Sequence, residues 1–363
     1  VTLSTRKLGA FDISAVSLGC MNLNHGYSRF PSEAEAGRLL NHALDLGVTM
    51  LDTAALYGDG ENERLLGRAV MHRRQEFVLA SKCVLGMFDG KRGLDGSPAA
   101  IAATLDGALQ RLGTDHIDLY YMHRLDRKVP IEESIGALVR AKDAGKIGAI
   151  GLSEMSAETL RRAHAVHPIA AMQSEYSPAV RNPEVAVLET CRELGAAFVA
   201  FSPVVRGLLA GAIRSDDYPA GDLRRSLMRF TGDHLKTNLG LVDAFDTIAA
   251  EAGLAPAQLA IGWVLSRGEH VIALPGTTSI AHLEENIAAL SRPIPQGAID
   301  AVTELFPPNA LSGPRYATSM QAQIDTELLP DEPLAATPDS PPTAHRRSNG
   351  PGSSRHSAPM RSR

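Results

Sequence analysis

Between residues 15 and 276, short apolar runs of five to seven residues alternate with longer stretches in which apolar positions recur every three or four residues. The first pattern fits a strand buried on both faces and the second an amphipathic helix. Eight runs read as strands: "AVSLG" (15–19), "VTMLDT" (48–53), "FVLASK" (77–82), "IDLYYMH" (117–123), "IGAIGLS" (147–153), "AAMQSEY" (170–176), "AFVAFS" (197–202) and "VIALPG" (271–276). The helical stretches carry start signals, a capping box from Ser32 to Glu35 and Ser97 ahead of Pro98, and Leu39, Leu40, Ala43 and Leu44 mark one apolar face. A right-handed crossover lays each helix over the sheet, so eight units predict an α/β fold closed as a (β/α)8 TIM barrel. Ahead of the first unit, "RKLGAFDIS" (6–14) reads as an N-terminal β-hairpin able to cap the barrel bottom.

Two segments break the alternation. Residues 206–238 are too many for an ordinary connection and predict a long loop after the seventh strand, a lid or binding loop. From Pro330 the chain turns rich in Pro, Ser and Arg and poor in large apolar residues, which predicts a disordered C-terminal tail. The expected organisation is a barrel domain over 1–315, a connecting segment over 316–329 and a tail over 330–363.

Charge and composition narrow the partners. With 36 basic and 41 acidic residues and no basic run in the folded portion, neither nucleic acid nor a membrane surface is the expected partner, and a small molecule is. Cys20, Cys83 and Cys191 are widely spaced without a C-x-x-C pair, which indicates neither disulfides nor a metal site and fits a reducing compartment. No apolar run reaches the roughly 20 residues of a membrane span and no signal-peptide pattern opens the chain, so a cytoplasmic location is expected.

Barrels of this kind hold their active sites at the C-terminal strand ends. Asp52 ends the second run, Tyr57 lies in the loop beyond it, Lys82 ends the third and His123 the fourth. Singly, each has an ordinary explanation as a cap, a packed ring, a solvated strand end or a core histidine. Four at successive strand ends suggest chemistry.

The segments "LDTAALYGDGENERLLGRAV", "ASK", "DLYYMHRLD", "IGLSE", "MQSEYSP", "FSPVVRGLLAG" and "LPGTTSIAHLEENIAA" resemble, in order, the signatures of the aldo-keto reductase superfamily, from about Leu8 to about Leu311. The resemblance implies an oxidoreductase that interconverts carbonyls and alcohols without a metal. It also implies a catalytic tetrad of Asp52, Tyr57, Lys82 and His123, and a nicotinamide cofactor lying extended across the barrel mouth. Ser153 and Gln173 would then grip the carboxamide and Phe201 stack on the ring. Ser202, Pro203 and Val204 would follow the pyrophosphate, the helix opening after Gly276 and Thr278 would receive phosphate, and Glu285 with Asn286 would read adenine. In such a site Tyr57 donates the proton, Lys82 lowers its pKa, Asp52 aims Lys82, and His123 positions the carbonyl oxygen.

NADP(H) is the expected cofactor ahead of NAD(H), although several positions depart from the pattern. Glu154 stands where relatives carry Asn, Val205 replaces a smaller residue, Ala212 a Lys, and Thr278 and Ser279 a Lys or Arg. His282, Arg214 and Arg224 are left to meet a 2'-phosphate. A regulatory subunit like the channel-associated members is the alternative, and His123 argues against it. A barrel hydrolase lacks its motifs, since "GLSEM" has no second glycine and no H-E-x-x-H occurs. Met21, Val84, Met87 and Phe88 are expected to line an apolar substrate pocket.

Overall fold

The computed structural model describes residues 3–88 and 90–335, so the expected tail lies, from residue 336 onward, outside the described residues. Strands β1 (Thr5–Leu8) and β2 (Phe11–Ser14) form the N-terminal hairpin. Eight parallel strands follow: β3 (Leu18–Gly19), β4 (Met50–Asp52), β5 (Val78–Cys83), β8 (Ile117–Met122), β9 (Ile147–Ser153), β10 (Ala171–Glu175), β11 (Ala197–Phe201) and β12 (Val271–Leu274), hydrogen-bonded in that order. Bridges from Val16 to Ala273 and from Gly19 to Gly276 bring the last strand round to the first. A Cβ on Gly276 would lie 2.6 Å from Asn22 Oδ1 and 3.0 Å from Gly19 O, so the seam requires a residue without one. A second hairpin, β6 (Leu85–Phe88) with β7 (Lys91–Leu94), stands after β5; the apolar pattern gave no sign of it.

Helices α1 (Glu33–Asp45), α2 (Glu61–Ala69), α3 (Pro98–Leu112), α4 (Ile131–Asp143), α5 (Ala157–Val166) and α6 (Val187–Leu194) alternate with the strands. After β11 come α7 (Gly232–Glu251) and α8 (Pro256–Leu265), and after β12 come α9 (Ile280–Ala288), α10 (Gln296–Leu305) and the short α11 (Thr318–Gln321). Ser32 and Glu35 form the capping box at α1, and Ser97 caps α3 with Pro98 at its start. The expected loop over 206–238 is in fact shorter at its far end, because α7 begins at Gly232. Helix α8 is apolar all round because it is enclosed all round, with Trp263 wholly buried. Among the described residues no single helix is long and apolar enough to cross a membrane.

The strands divide their side chains by parity. Outward-facing Leu51, Leu79, Tyr120, Met122, Ile150, Leu152 and Phe198 pack in one cluster with the helices. Inward-facing Met50, Val78, Ala80, Leu119, Tyr121, Ala171, Val199 and Ile272 fill the barrel, and Leu8 and Ile13 of the hairpin close it from below. The interior is tight: a Cβ on Gly151 would lie 2.3 Å from the Tyr121 ring.

Candidate active site

Continuing the inward rows by one step toward the strands' C-terminal ends brings up four polar residues, Asp52 after Met50, Lys82 after Ala80, His123 after Tyr121 and Gln173 after Ala171, and one aromatic, Phe201 after Val199. Lys82 is completely enclosed. Its Nζ forms an ion pair with Asp52 Oδ1, donates to Thr53 O at 2.9 Å and reaches Tyr57 OH at 3.3 Å. Asp52 Oδ2 accepts from Gln173 Nε2 at 2.9 Å. The Tyr57 ring stacks on His25, with centroids 5.5 Å apart, and meets the edge of His123 at 5.8 Å.

The glycines beside Tyr57 explain its placement. Gly58, Asp59 and Gly60 all have left-handed backbone, with φ of 58°, 53° and 83°, so the chain turns sharply into α2 directly behind the ring. A further layer holds this turn. Thr53 Oγ1 donates to Asn62 Oδ1 at 2.6 Å, and Asn62 Nδ2 reaches Cys20 O at 2.9 Å. Glu63, fully buried, takes Ser81 Oγ and Arg111 Nε, each at 2.6 Å. Asn62 and Glu63 were not foreseen as supporting residues; an N-E pair at the start of a helix, five residues past the tyrosine, is the signal that carried them.

Electrostatics assign the protonation states. Burial raises the Tyr57 hydroxyl above its ordinary value, and Lys82 pulls the other way without overcoming it, so the expected net lowering is not found. Burial opposes the Lys82 charge, yet Asp52 and Tyr57 outweigh it and hold its pKa above the usual lysine value. His123 lies well below the ordinary histidine value through burial, then through Arg124, Lys82, Arg92 and His25, and its Nδ1 has no hydrogen-bond partner among the described residues. It is therefore a neutral imidazole at physiological pH. The three cysteines are free and buried; burial pushes the Cys83 thiol up to about 12 and raises Cys20 and Cys191 as well.

Above these residues opens a cavity of about 870 Å³. The structure places Asp52, Tyr57, His123, Ser153, Gln173, Phe201, Ser202, Pro203, Val204, Gly276, Thr278, His282, Glu285 and Asn286 along it, with Lys82 just beneath. The loop after β11 crosses the opening, where Leu223 N donates to Gly26 O at 2.9 Å. The donor set suits an extended dinucleotide: Phe201 lines the cavity at the end of β11, and α9 opens at Ser279, where Ser279 Oγ accepts from His282 N. Arg214 is held by Asp243 and Asp246, and Arg224 by Asp222 between the rings of Tyr27 and Tyr218. Only the His282 imidazole of the three candidates has no hydrogen-bond partner among the described residues.

Other expectations change. Val205 is buried in the outer core and does not crowd the cavity, although its φ of 51° costs a β-branched residue about 1 to 3 kcal/mol. Glu154 turns away from the cavity: Oε1 accepts from Glu175 N at 2.6 Å and Oε2 lies 3.5 Å from an Arg315 nitrogen. Of the four residues expected to make an apolar pocket, only Met21 lines the cavity; Val84 is core, and Met87 and Phe88 lie on the second hairpin facing a separate small recess. Tyr316, beyond the expected end of the barrel domain, also lines the cavity and donates to Glu175.

Known proteins share the fold and much of the sequence. The model of the aldo/keto reductase family matches residues 15–306. An aldo-keto reductase of Schizosaccharomyces pombe, yakc, named for NADP(+), is 39% identical over 341 residues, 91% of this chain and 100% of its own. The str7 aldo-keto reductase of Strobilurus tenacellus is 38% identical over 90% of this chain and 99% of its own. Among solved structures, the glycerol dehydrogenase of Gluconobacter oxydans superposes with a TM-score of 0.76 at 27% identity, covering 90% of this chain and 98% of that one. A holo aldo-keto reductase of Bacillus halodurans gives 0.71 at 29% identity, over 85% and 98%.

Proposed function

The chain belongs to the aldo-keto reductase family, a family of nicotinamide-dependent oxidoreductases, and we propose that it interconverts aldehydes or ketones and alcohols using NADP(H), with Tyr57 as general acid and base. One observation carries the reading: Lys82 Nζ is fixed between Asp52 and the Tyr57 hydroxyl, 3.3 Å away, at the floor of the cavity, beside a neutral His123.

When bound, the cofactor supplies hydride to the carbonyl carbon or takes it back. Ser153 and Gln173 would hold its carboxamide, Phe201 its ring, residues 202–204 its pyrophosphate, and Thr278, His282, Glu285 and Asn286 its adenosine end. Gln173 has its Oε1 to offer, since its nitrogen is bonded to Asp52. Tyr57 keeps its proton at neutral pH and delivers it to the substrate oxygen as negative charge develops there. The tyrosinate left behind sits against the Lys82 ammonium, which stabilises that form, and solvent restores the proton. A neutral His123 donates a hydrogen bond to the same oxygen and fixes its direction. In alcohol oxidation each residue acts in reverse.

NADP(H) is favoured by the naming of the yakc relative and by the donors at the start of α9. The regulatory-subunit alternative gains no support from the relatives, which are named as reductases and a dehydrogenase. Tyr57→Phe tests the assignment. Turnover should fall by about 10²- to 10⁴-fold, while cofactor affinity from fluorescence quenching stays close to that of the native protein. Near-normal carbonyl reduction by the variant would show that Tyr57 is not the proton donor.

A further inference from the structure

We propose that the substrate end of the mouth receives an anionic group, so that the best carbonyl substrates carry a carboxylate; this rests on the oxidoreductase reading above. Two adjacent strands bring the receptor together. Arg92 stands on β7, in the hairpin that follows β5, and Arg124 comes directly after His123 at the end of β8. Both line the cavity beside Tyr57, His123 and His25.

Neither guanidinium is neutralised by a carboxylate among the described residues. Arg92 makes no hydrogen bond or ion pair among the described residues. Arg124 uses one nitrogen, Nη1, on His123 O at 2.6 Å and Ser153 Oγ at 3.2 Å, and meets no carboxylate. Other exposed arginines on this chain do pair with carboxylates, Arg68 with Glu33 and Arg162 with Glu132 among them. The acids that line the cavity are committed or distant: Asp52 to Lys82 and Gln173, Asp222 to Arg224, while Asp217 and Glu285 follow β11 and β12, across the barrel from β5 and β8.

Two arginines and two histidines thus face a space in which, among the described residues, no unpaired carboxylate lies on that side. Burial first, and then the neighbouring Arg124, lowers the Arg92 pKa, and burial first, and then Arg92, lowers that of His25, as like charges sharing one side of the cavity require. A carboxylate relieves that repulsion and matches the planar guanidinium fork. Met21, Leu56 and Leu85 supply apolar walls for the organic body.

The test compares 4-carboxybenzaldehyde with 4-formylbenzamide, equal in shape and different in charge, on the full chain with NADPH and with NADH. The carboxylate should have a kcat/KM about tenfold or more above the amide, as charged hydrogen bonds warrant, and added salt should narrow the gap. Arg92→Gln should bring the ratio close to one and Arg92→Lys should restore part of it; Arg92 has no partner whose loss would disturb the fold. Calorimetry with 4-(hydroxymethyl)benzoate and its amide on the NADPH-saturated protein, where alcohol and cofactor are both already reduced, should show the same preference without turnover. Equal use of the two aldehydes, or a ratio unchanged in Arg92→Gln, overturns the anion receptor and leaves the oxidoreductase reading standing. No cofactor-linked turnover of these or any other aldehyde, ketone or alcohol overturns both.

Discussion

Replacing Lys82 with methionine separates what holds the site together from what makes it work. Lys82 and Asp52 are an ion pair with 0% and 2% of their side chains exposed, so removing the ammonium leaves a carboxylate buried with one remaining side-chain donor, Gln173 Nε2. Breaking a buried pair on one side costs about 3 to 5 kcal/mol. At about 2 °C per kcal/mol for a chain of this size, the melting temperature should fall by roughly 6 to 10 °C. Neutralising the stranded partner reverses the effect: Asp52→Asn with Lys82→Met should regain most of the loss, since an amide has no unpaired charge to bury. Activity should not follow stability. With Lys82 gone, burial is left as the largest influence on Tyr57, with only Arg124 opposing it, the tyrosinate loses its adjacent ammonium, and both variants should lose about 10²-fold or more in single-turnover rate. The measurements are thermal scans at fixed rate and stopped-flow decay of NADPH absorbance. A double variant as unstable as the single one would refute the buried-charge account, and a double variant that recovers turnover would refute the catalytic one.

Three further outcomes follow from the same structure. NADPH should be preferred over NADH by about one to two orders of magnitude in kcat/KM, or about 1.4 to 2.8 kcal/mol, with salt weakening NADPH more and Thr278→Arg widening the gap; a native preference for NADH would contradict this account of the adenosine end. Stability should fall below the ordinary histidine pKa of 6.5, because the unfolded chain takes a proton there that buried His123 refuses. The unfolded state binds more protons, so the loss is about 1.4 kcal/mol per pH unit between that value and the lowered folded pKa, and a denaturation series whose slope is unchanged in His123→Asn would assign it elsewhere. Ending the chain at Ser312 should lower the melting temperature by several degrees, since Arg315 and Tyr316 no longer meet Glu154 and Glu175, whereas ending it at Ala335 should change neither melting nor kinetics; equal behaviour of the two truncations would exclude a structural role for residues 313–335.

Much of the barrel could be read from the chain because a strand enclosed on both faces writes a nearly continuous apolar run. The site was readable for a related reason. Parity forces Asp52, Lys82 and His123 into the same interior as Met50, Ala80 and Tyr121, and a charged residue on that row has to be at the open end, where it finds partners. What lay outside such rules was missed. The β6–β7 hairpin is short and half exposed, with no alternation to mark it, so Met87 and Phe88 were assigned to a wall they do not form. The support from Asn62 and Glu63 depends on hydrogen bonds to Thr53 and Ser81, whose proximity only the folded chain creates.

The substitution at Glu154 shows how one departure reorganises a rim. A carboxylate with 0% exposure and a φ of 53° is costly on both counts, and no neighbour on its own strand neutralises it. Arg315 does, from a segment that apolar patterning assigned to the edge of the barrel domain, and it brings Tyr316 onto Glu175, which also faces Arg206. Asp325 N meets Glu154 O at 3.0 Å, while the Asp325 carboxylate takes the Ser156 and Thr159 hydroxyls at 3.0 and 2.7 Å at the start of α5. The segment from Gly313 to Glu327 is thereby fixed across the strand ends by charges that would be stranded without it. Arg206, in the loop after β11, is held in the same network, so the C-terminal segment and the loop along the expected pyrophosphate are positioned together. The charges around Glu154 and Glu175 are consequently paired, as are Lys82 and Asp52 beneath Tyr57, whereas Arg92 and Arg124 meet no carboxylate among the described residues on the side of the proposed receptor for an anionic substrate group.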